Sequence, residues 1–239
     1  MTLHQAVAEL MRHKRVLVGV DFDGTLAPLV RHPDDARPEP RAIAAIQNLI
    51  DRDRVHVVVI SGRAHTDLTA RIGNLPGAVL IGEHGNDMGQ PFEIPQVLAD
   101  ARSFVVRLHE QFPTAAIEQK PRSVTFHTRN LHHDDKIEVR DAMVMWATGR
   151  ESMSLLEGKE VFELTVATKT KGDAIAELAV GMDGTLFIGD DATDETVFRK
   201  LGVNDVSVKV GDGPTEAEYR VSGIAEVVEL LMVAALASA

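Results

Sequence analysis

Arg15-Val16-Leu17-Val18-Gly19-Val20 runs directly into Asp21-Phe22-Asp23-Gly24-Thr25-Leu26-Ala27-Pro28-Leu29, and the reading of this junction decides the fold. A continuous Val/Leu run is the pattern of a strand covered on both faces, as in a parallel sheet. Ligands of open α/β sheets bind outside the carboxyl ends of the strands. Asp21 and Asp23 therefore stand where functional groups belong, and Gly24-Thr25 lets the backbone turn closely around an anion. A strand ending in a solvated acidic turn accounts for the same residues, so the remainder of the chain must decide.

Further apolar runs at 55–61, 78–82, 185–189 and 206–210 predict parallel strands to follow the first at 15–21. Helical patterns alternate with them: 41–52 after Pro40, 63–73 after Ser61-Gly62, 172–180 after Lys171-Gly172, 192–201 after Asp190-Asp191, and 224–237 with Ser222 as N-cap. The alternation predicts an α/β fold, a doubly wound parallel sheet. Between 92 and 166 the rhythm changes to helix 96–112, strands 115–120 and 123–129, helix 134–148, and strands 152–157 and 160–166. That order predicts an inserted α+β domain at 92–166, with a core domain formed by 1–91 and 167–239. Trp146, with Met143, Val144 and Met145 beside it, is read as core of the insert. The segment Pro33 to Pro40 reads as a shaped surface loop.

The 239 residues carry 36 acidic and 25 basic side chains, a net charge of −11, which argues against nucleic acid and anionic membranes as partners. No cysteine is present, which excludes disulfides, thiolate chemistry and zinc-thiolate sites. Met1 to Gln5 shows no basic region leading into an apolar stretch, and the apolar run Val227 to Ala237 is interrupted by Glu229. The expectation is a cytoplasmic monomer that acts on a small molecule.

Asp-x-Asp-Gly-Thr after a buried strand resembles the nucleophile motif of the haloacid dehalogenase superfamily of phosphotransferases. In that chemistry Asp21 attacks phosphorus to form an aspartyl phosphate, and Asp23 protonates the leaving oxygen, then activates water. Ser61, in Ile60-Ser61-Gly62-Arg63, offers a hydroxyl and turn N–H groups to a phosphoryl oxygen, although a helix N-cap would place it equally well. Lys171 is a cation at a helix N-terminus, unfavourable unless it faces anions. Asp190 and Asp191, in Gly189-Asp190-Asp191-Ala192-Thr193-Asp194-Glu195, follow another apolar strand; charge complementing a helix start is the alternative. Two carboxylates about 4 Å apart repel by roughly 4 kcal/mol at an effective dielectric near 20. Asp21, Asp23, Asp190 and Asp191 gathered in one crevice would need cations, and a hard dication such as Mg²⁺ bridging Asp21, Asp190 and a phosphate oxygen meets that need.

The spaced set Asp21/Asp23, Ser61, Lys171 and Asp190/Asp191 is similar to the four motifs of those phosphatases, with a cap domain between the second and third. Together with His32-Pro33-Asp34 and Gly82-Glu83-His84-Gly85, it resembles the trehalose-6-phosphate phosphatases over nearly the whole chain. The resemblance implies an Mg²⁺-dependent phosphoric monoester hydrolase with substrate contacts at Gly24, Thr25, Gly62, Arg63 and His84. It also implies that the insert is a specificity cap, with Glu118, Lys120, His127, Arg129, Lys159 and Glu163 on the substrate. Carboxylates accept from sugar hydroxyls and an ammonium donates to them; a solvated sheet face explains the same alternation. Thr128 stands where the family often has an aromatic residue, and Asp87 where Glu is usual. Three other readings stay open: a phosphatase of another sugar phosphate, such as sucrose phosphate, glucosyl-glycerol phosphate or a pseudo-disaccharide phosphate; a non-catalytic sugar-phosphate-binding domain; and a receiver-like phosphoacceptor. The presence of both Asp21 and Asp23 counts against the second, and Asp23 with the inserted domain counts against the third, because a stored signal needs neither a leaving-group acid nor a cap.

Overall fold

The computed structural model of the chain describes residues 1–30, 32–73, 75–158 and 160–237. A reciprocal capping box between Thr2 and Gln5 opens α1 (Leu3–Leu10). There follow β1 (Val16–Asp21), α2 (Pro40–Ile50), β2 (Val55–Ile60), α3 (His65–Ile72) and β3 (Ala78–Ile81). Next come α4 (Gln96–Gln111), β4 (Ala116–Gln119), β5 (Ser123–His127), α5 (His133–Ala147), β6 (Ser154–Gly158) and β7 (Val161–Thr165). The chain ends with α6 (Lys171–Leu178), β8 (Gly184–Gly189), the single turn α7 (Glu195–Phe198), β9 (Val206–Val210), β10 (Tyr219–Val221) and α8 (Ile224–Ala237). These elements form two compact units, one of Met1–Gly89 with Lys169–Ala239 and the other of Gln90–Thr168.

In the first unit six parallel strands stand in the order β10-β9-β8-β1-β2-β3. Every residue of β1 is buried, because alternate side chains enter two different cores. Val16, Val18 and Val20 pack with α1, α2, α3 and α8, whereas Leu17 packs with Ala174, Ile175, Val197 and Phe198 of α6 and α7. Helices on both faces explain why these strands read as unbroken apolar runs. Gly19 leaves room for the second core, since a Cβ there would lie 2.7 Å from the Phe187 ring. The chain order places β1 at the centre, so Asp21 emerges between β2 and β8, where the sheet's connections reverse direction.

In the second unit four antiparallel strands stand in the order β4-β5-β7-β6. Val124, Phe126 and Leu164 face α4 and α5 in one core, and Trp146 packs against it in a stacked pair with Phe104, as its apolar neighbours predict. The other face of that sheet carries Glu118, Thr125 and Glu163 in one row, because both glutamates pair with Thr125 in register.

Three sequence expectations are corrected. The helix predicted over 192–201 is only Glu195–Phe198, because Asp191 and Asp194 draw the preceding residues into a hydrogen-bonded turn. Helix 63–73 starts at His65 with Ala64 as its N-cap, so Ser61 caps no helix. Ser222 does not cap α8: the Gly223 carbonyl accepts from Glu226 and Val227, while the Ser222 hydroxyl donates to the Glu226 carboxylate. Two elements go unpredicted, α1 and the three-residue β10. No helix among the described residues is long and apolar enough to cross a membrane.

Candidate functional site

The end of β1 delivers one carboxylate and the N-cap of α7 another, and the first residue of α6 delivers an ammonium between them. Lys171 Nζ donates to Asp21 Oδ1 at 2.6 Å and to Asp194 Oδ1 at 2.8 Å, with all three side chains buried. A capping box between Thr170 and Asp173 fixes the start of α6 and hence the root of Lys171. A cation at the positive end of a helix is destabilised by the dipole, so its partners have to compensate. They do: burial alone would lower the Lys171 pKa, but Asp21, Asp194 and Asp191 overcome it and hold it well above the usual lysine range.

One lysine does not balance this much negative charge. Burial pushes the Asp21 carboxyl up, and Lys171 only partly opposes it. Asp190 is pushed up to about 6 by burial and then by Asp191 and Asp194, and Asp194 is raised by burial as well. Oxygens of Asp21, Asp190 and Asp194 lie within 4.8 Å of one another, a group able to hold a metal ion. The donors are all carboxylate oxygens, which suits a hard dication. Asp194 is already engaged twice, by Lys171 and by the Asp191 N–H, whereas Asp190 lies against Gly24. Gly24 has φ +80°, and any Cβ there would lie 2.0 Å from an Asp190 oxygen, so both conformation and space require glycine.

The remaining predicted residues of this unit fall into two groups. Asp23 turns away from the trio to Arg63, whose Nε and Nη2 reach its two oxygens at 2.7 and 2.6 Å. Asp191 is also outside the trio, its Oδ1 accepting from the N–H and hydroxyl of Thr193. Hydrogen bonds from Thr193 and the charge of Lys171 overcome burial and lower its pKa. Ser61 is buried at the end of β2 with its Oγ accepting from the Arg63 N–H at 3.1 Å. His84, at φ 56°, covers Gly62 so closely that a Cβ there would meet its ring at 2.5 Å. The buried Thr25 Oγ1 has no hydrogen-bond partner.

In the second unit Lys120 Nζ stands 3.4 Å from Glu163 Oε2, and His127 Nε2 3.1 Å from Glu118 Oε2. Arg129 is exposed in the turn after β5. Lys159 lies outside the described residues. Two residues of the first unit escaped the sequence reading. Asp194 is one, and its place four residues after Asp190 is the signal that marks it. Lys209, buried on β9, donates from Nζ to the Asp190 carbonyl, and no local signal marked it.

The sequence profile of the family described as Trehalose-phosphatase matches residues 19–224. A bifunctional trehalose-6-phosphate synthase/phosphatase of Thermoproteus tenax is 30% identical over 92% of this chain and 32% of its own length. A trehalose-phosphate phosphatase of Mycobacterium marinum is 32% identical over 90% of this chain and 60% of its own. The chain thus spans less than two thirds of the length of these curated relatives. The C-terminal domain of the C. albicans trehalose-6-phosphate phosphatase superposes with a TM-score of 0.78 at 22% identity, over 98% of this chain and 97% of that one, a likeness of fold. Matched by the profile from within β1 to the start of α8, the chain belongs to the trehalose-phosphatase family.

Proposed function

We infer that this chain is an Mg²⁺-dependent phosphatase that hydrolyses trehalose 6-phosphate to trehalose and phosphate through an aspartyl phosphate on Asp21. The observation that carries the reading is the buried Asp21–Lys171–Asp194 group with Asp190 beside it. A stable fold gains little from burying so many charges, and a catalyst for a dianionic ester needs them. Asp21 and Asp190 would hold Mg²⁺, with Asp194 neutralising Lys171; the ion would neutralise phosphoryl charge and help keep Asp21 ionised. Lys171 orients the Asp21 carboxylate and opposes in part the effect of its burial. Asp21 Oδ2 attacks phosphorus as the P–O bond to the sugar breaks, and Asp23, once it has left the Arg63 fork and taken a proton from solvent, gives that proton to the departing alkoxide. Asp23, then ionised, takes a proton from the water that opens the acyl phosphate and releases inorganic phosphate. Ser61 Oγ and the Gly62 N–H hold a phosphoryl oxygen, the Ser61 and Arg63 N–H groups being given to the Ile81 carbonyl and to Ser61 Oγ.

The Gln90–Thr168 unit is proposed as the specificity cap, with Glu118, Lys120 and Glu163 meeting sugar hydroxyls. Phosphate alone would call for cations, and this row of acceptors with one ammonium matches a polyol instead. We place the activity in the cytoplasm, with the small-molecule substrate as the only partner. Phosphate release from a panel of trehalose 6-phosphate, sucrose 6-phosphate, glucosyl-glycerol phosphate and glucose 6-phosphate, with Mg²⁺ and with chelator, tests the proposal. Preference for trehalose 6-phosphate, lost in chelator, is expected. A higher kcat/KM on another panel member would reassign the substrate.

A further inference from the structure

Two hydroxyls of the second unit are buried without a partner. Ser123 and Thr125 alternate along β5 with Val124 and Phe126, whose side chains enter the core, so both hydroxyls stand on the opposite face of the sheet, the one that carries Glu118 and Glu163. Each residue is 2% exposed, yet neither Ser123 Oγ nor Thr125 Oγ1 has a hydrogen-bond partner among the described residues. Burying a hydroxyl unpaired costs free energy, and this strand does so twice at neighbouring positions of one face.

What covers them follows from the strand order. β5 lies between β4 and β7. Lys120, whose N–H donates to the Ser123 carbonyl just beyond β4, sends its Nζ to Glu163 Oε2 on β7 at 3.4 Å, and Glu163 is paired in register with Thr125. The Lys120–Glu163 bridge therefore crosses β5 from one flank to the other, over Ser123 and Thr125. Arg102 Nη2 holds the main-chain carbonyls of Lys120 and Pro121 at 2.5 and 3.2 Å, so the turn that carries Lys120 stays fixed while its side chain swings.

We propose that the Ser123 and Thr125 hydroxyls form the floor of the sugar subsite, covered in the free protein by the Lys120–Glu163 bridge and uncovered when vicinal hydroxyls of the unphosphorylated sugar part those two side chains. A hydroxyl both donates and accepts, so the floor supplies donors to sugar oxygens that the neighbouring carboxylates cannot supply. Lys120 and Glu163 exchange one partner for another on binding, whereas Ser123 and Thr125 gain partners that they lack. Folding has already stripped water from both hydroxyls, so the ligand forms these two bonds without displacing a competing solvent molecule from the protein side. The proposal rests on the sugar-binding role given to this face under the proposed function.

Thr125→Val and Ser123→Ala each remove one hydroxyl with little change of shape, and the test reads stability and kinetics together. Without ligand both variants are expected to melt at or slightly above wild type, because an unsatisfied buried group is lost. On trehalose 6-phosphate each should raise KM by roughly three- to tenfold, the worth of one hydrogen bond. The accompanying kcat should stay within about twofold, since contacts remote from phosphorus are equal in ground and transition states. KM for 4-nitrophenyl phosphate, which carries no sugar, should move by less than about twofold. A variant that melts clearly below wild type would show that its hydroxyl has a structural partner, and KM values unchanged, or shifted equally on both substrates, would deny it a place in the sugar site; either result overturns the proposal. The wild-type substrate panel is read separately. If it names another sugar phosphate, KM is measured on that sugar, where the same shifts support the floor and their absence overturns it.

Discussion

The two acidic groupings of this chain are built to opposite specifications. Asp21, Lys171 and Asp194 are 5%, 1% and 0% exposed, and Lys171 bonds one oxygen of each carboxylate at 2.6 and 2.8 Å. Glu118 and His127 are 50% and 38% exposed, and each of the pairs Glu118–His127 and Lys120–Glu163 rests on a single contact longer than 3 Å. The first is a preorganised electrostatic site, in which charges sit where little water can reorganise. The second is a surface of loosely held donors and acceptors. The Glu118–His127 pair, being exposed, is worth little in itself and can give way to a ligand, whereas Lys120 and Glu163 are only 19% and 17% exposed. Under the proposed function this difference assigns chemistry to the first unit and selectivity to the second, so the two should fail separately.

The largest effect belongs to the buried grouping. Asp21→Asn is nearly isosteric and cannot form the acyl phosphate, so turnover on every substrate should fall by several orders of magnitude. Lys171 keeps an oxygen to donate to, and a near wild-type far-UV circular dichroism spectrum should accompany the loss. Near-normal phosphate release by a verified Asp21→Asn sample would remove the basis of the division.

Intermediate effects belong to the open surface. Glu118→Ala and Glu163→Ala should each cost roughly 1–3 kcal/mol in kcat/KM on trehalose 6-phosphate through lost charge-assisted hydrogen bonds. The same variants should leave 4-nitrophenyl phosphate almost unaffected. Comparable losses on both substrates would show that the two groupings do not act separately.

The smallest effect sharpens the comparison from the stability side. Asp190, lifted to about 6 by burial and its neighbouring carboxylates, holds its proton more tightly in the folded protein than in the unfolded chain, where Asp titrates near 3.9. Stability from this group therefore falls as pH rises through the window between those values, and its charge is a burden at neutral pH. In chelator, Asp190→Asn should melt roughly 2–4 °C above wild type near neutral pH, the equivalent of about 1 kcal/mol after discounting for solvent screening. The advantage should shrink as pH is lowered through 6 toward 4. With Mg²⁺ the order should invert, because only wild type gains the full stabilisation of the bound ion. An Asp190→Asn protein that melts below wild type in chelator at neutral pH would contradict the crowding argument.

Local pattern made the parallel sheet and the two-unit order legible, because strands covered on both faces cannot hide their apolar runs. Asp21 and Asp190 were legible for the same reason, each closing such a run. Pairings across long sequence distance were not. Nothing near Arg63 says that its fork closes on Asp23, 40 residues away, and nothing near Lys171 says which carboxylates it joins. Asp194 and Asp191 competed for the backbone at the start of α7, and that competition cut the predicted helix to one turn. The capping box of α1, Thr2-x-x-Gln5, was present in the sequence and simply unread. The three residues of β10 gain their strand geometry from β9 rather than from any pattern of their own.

The central claim is that Asp21 is the nucleophile, and the most direct measurement is peptide mass spectrometry on enzyme quenched in acid during turnover of trehalose 6-phosphate with Mg²⁺. The account predicts a phosphoryl group on the peptide containing Asp21, localised to that residue, absent from chelator-treated and Asp21→Asn samples. Active enzyme that carries the phosphoryl group on another residue, with the Asp21 peptide unmodified, would contradict it.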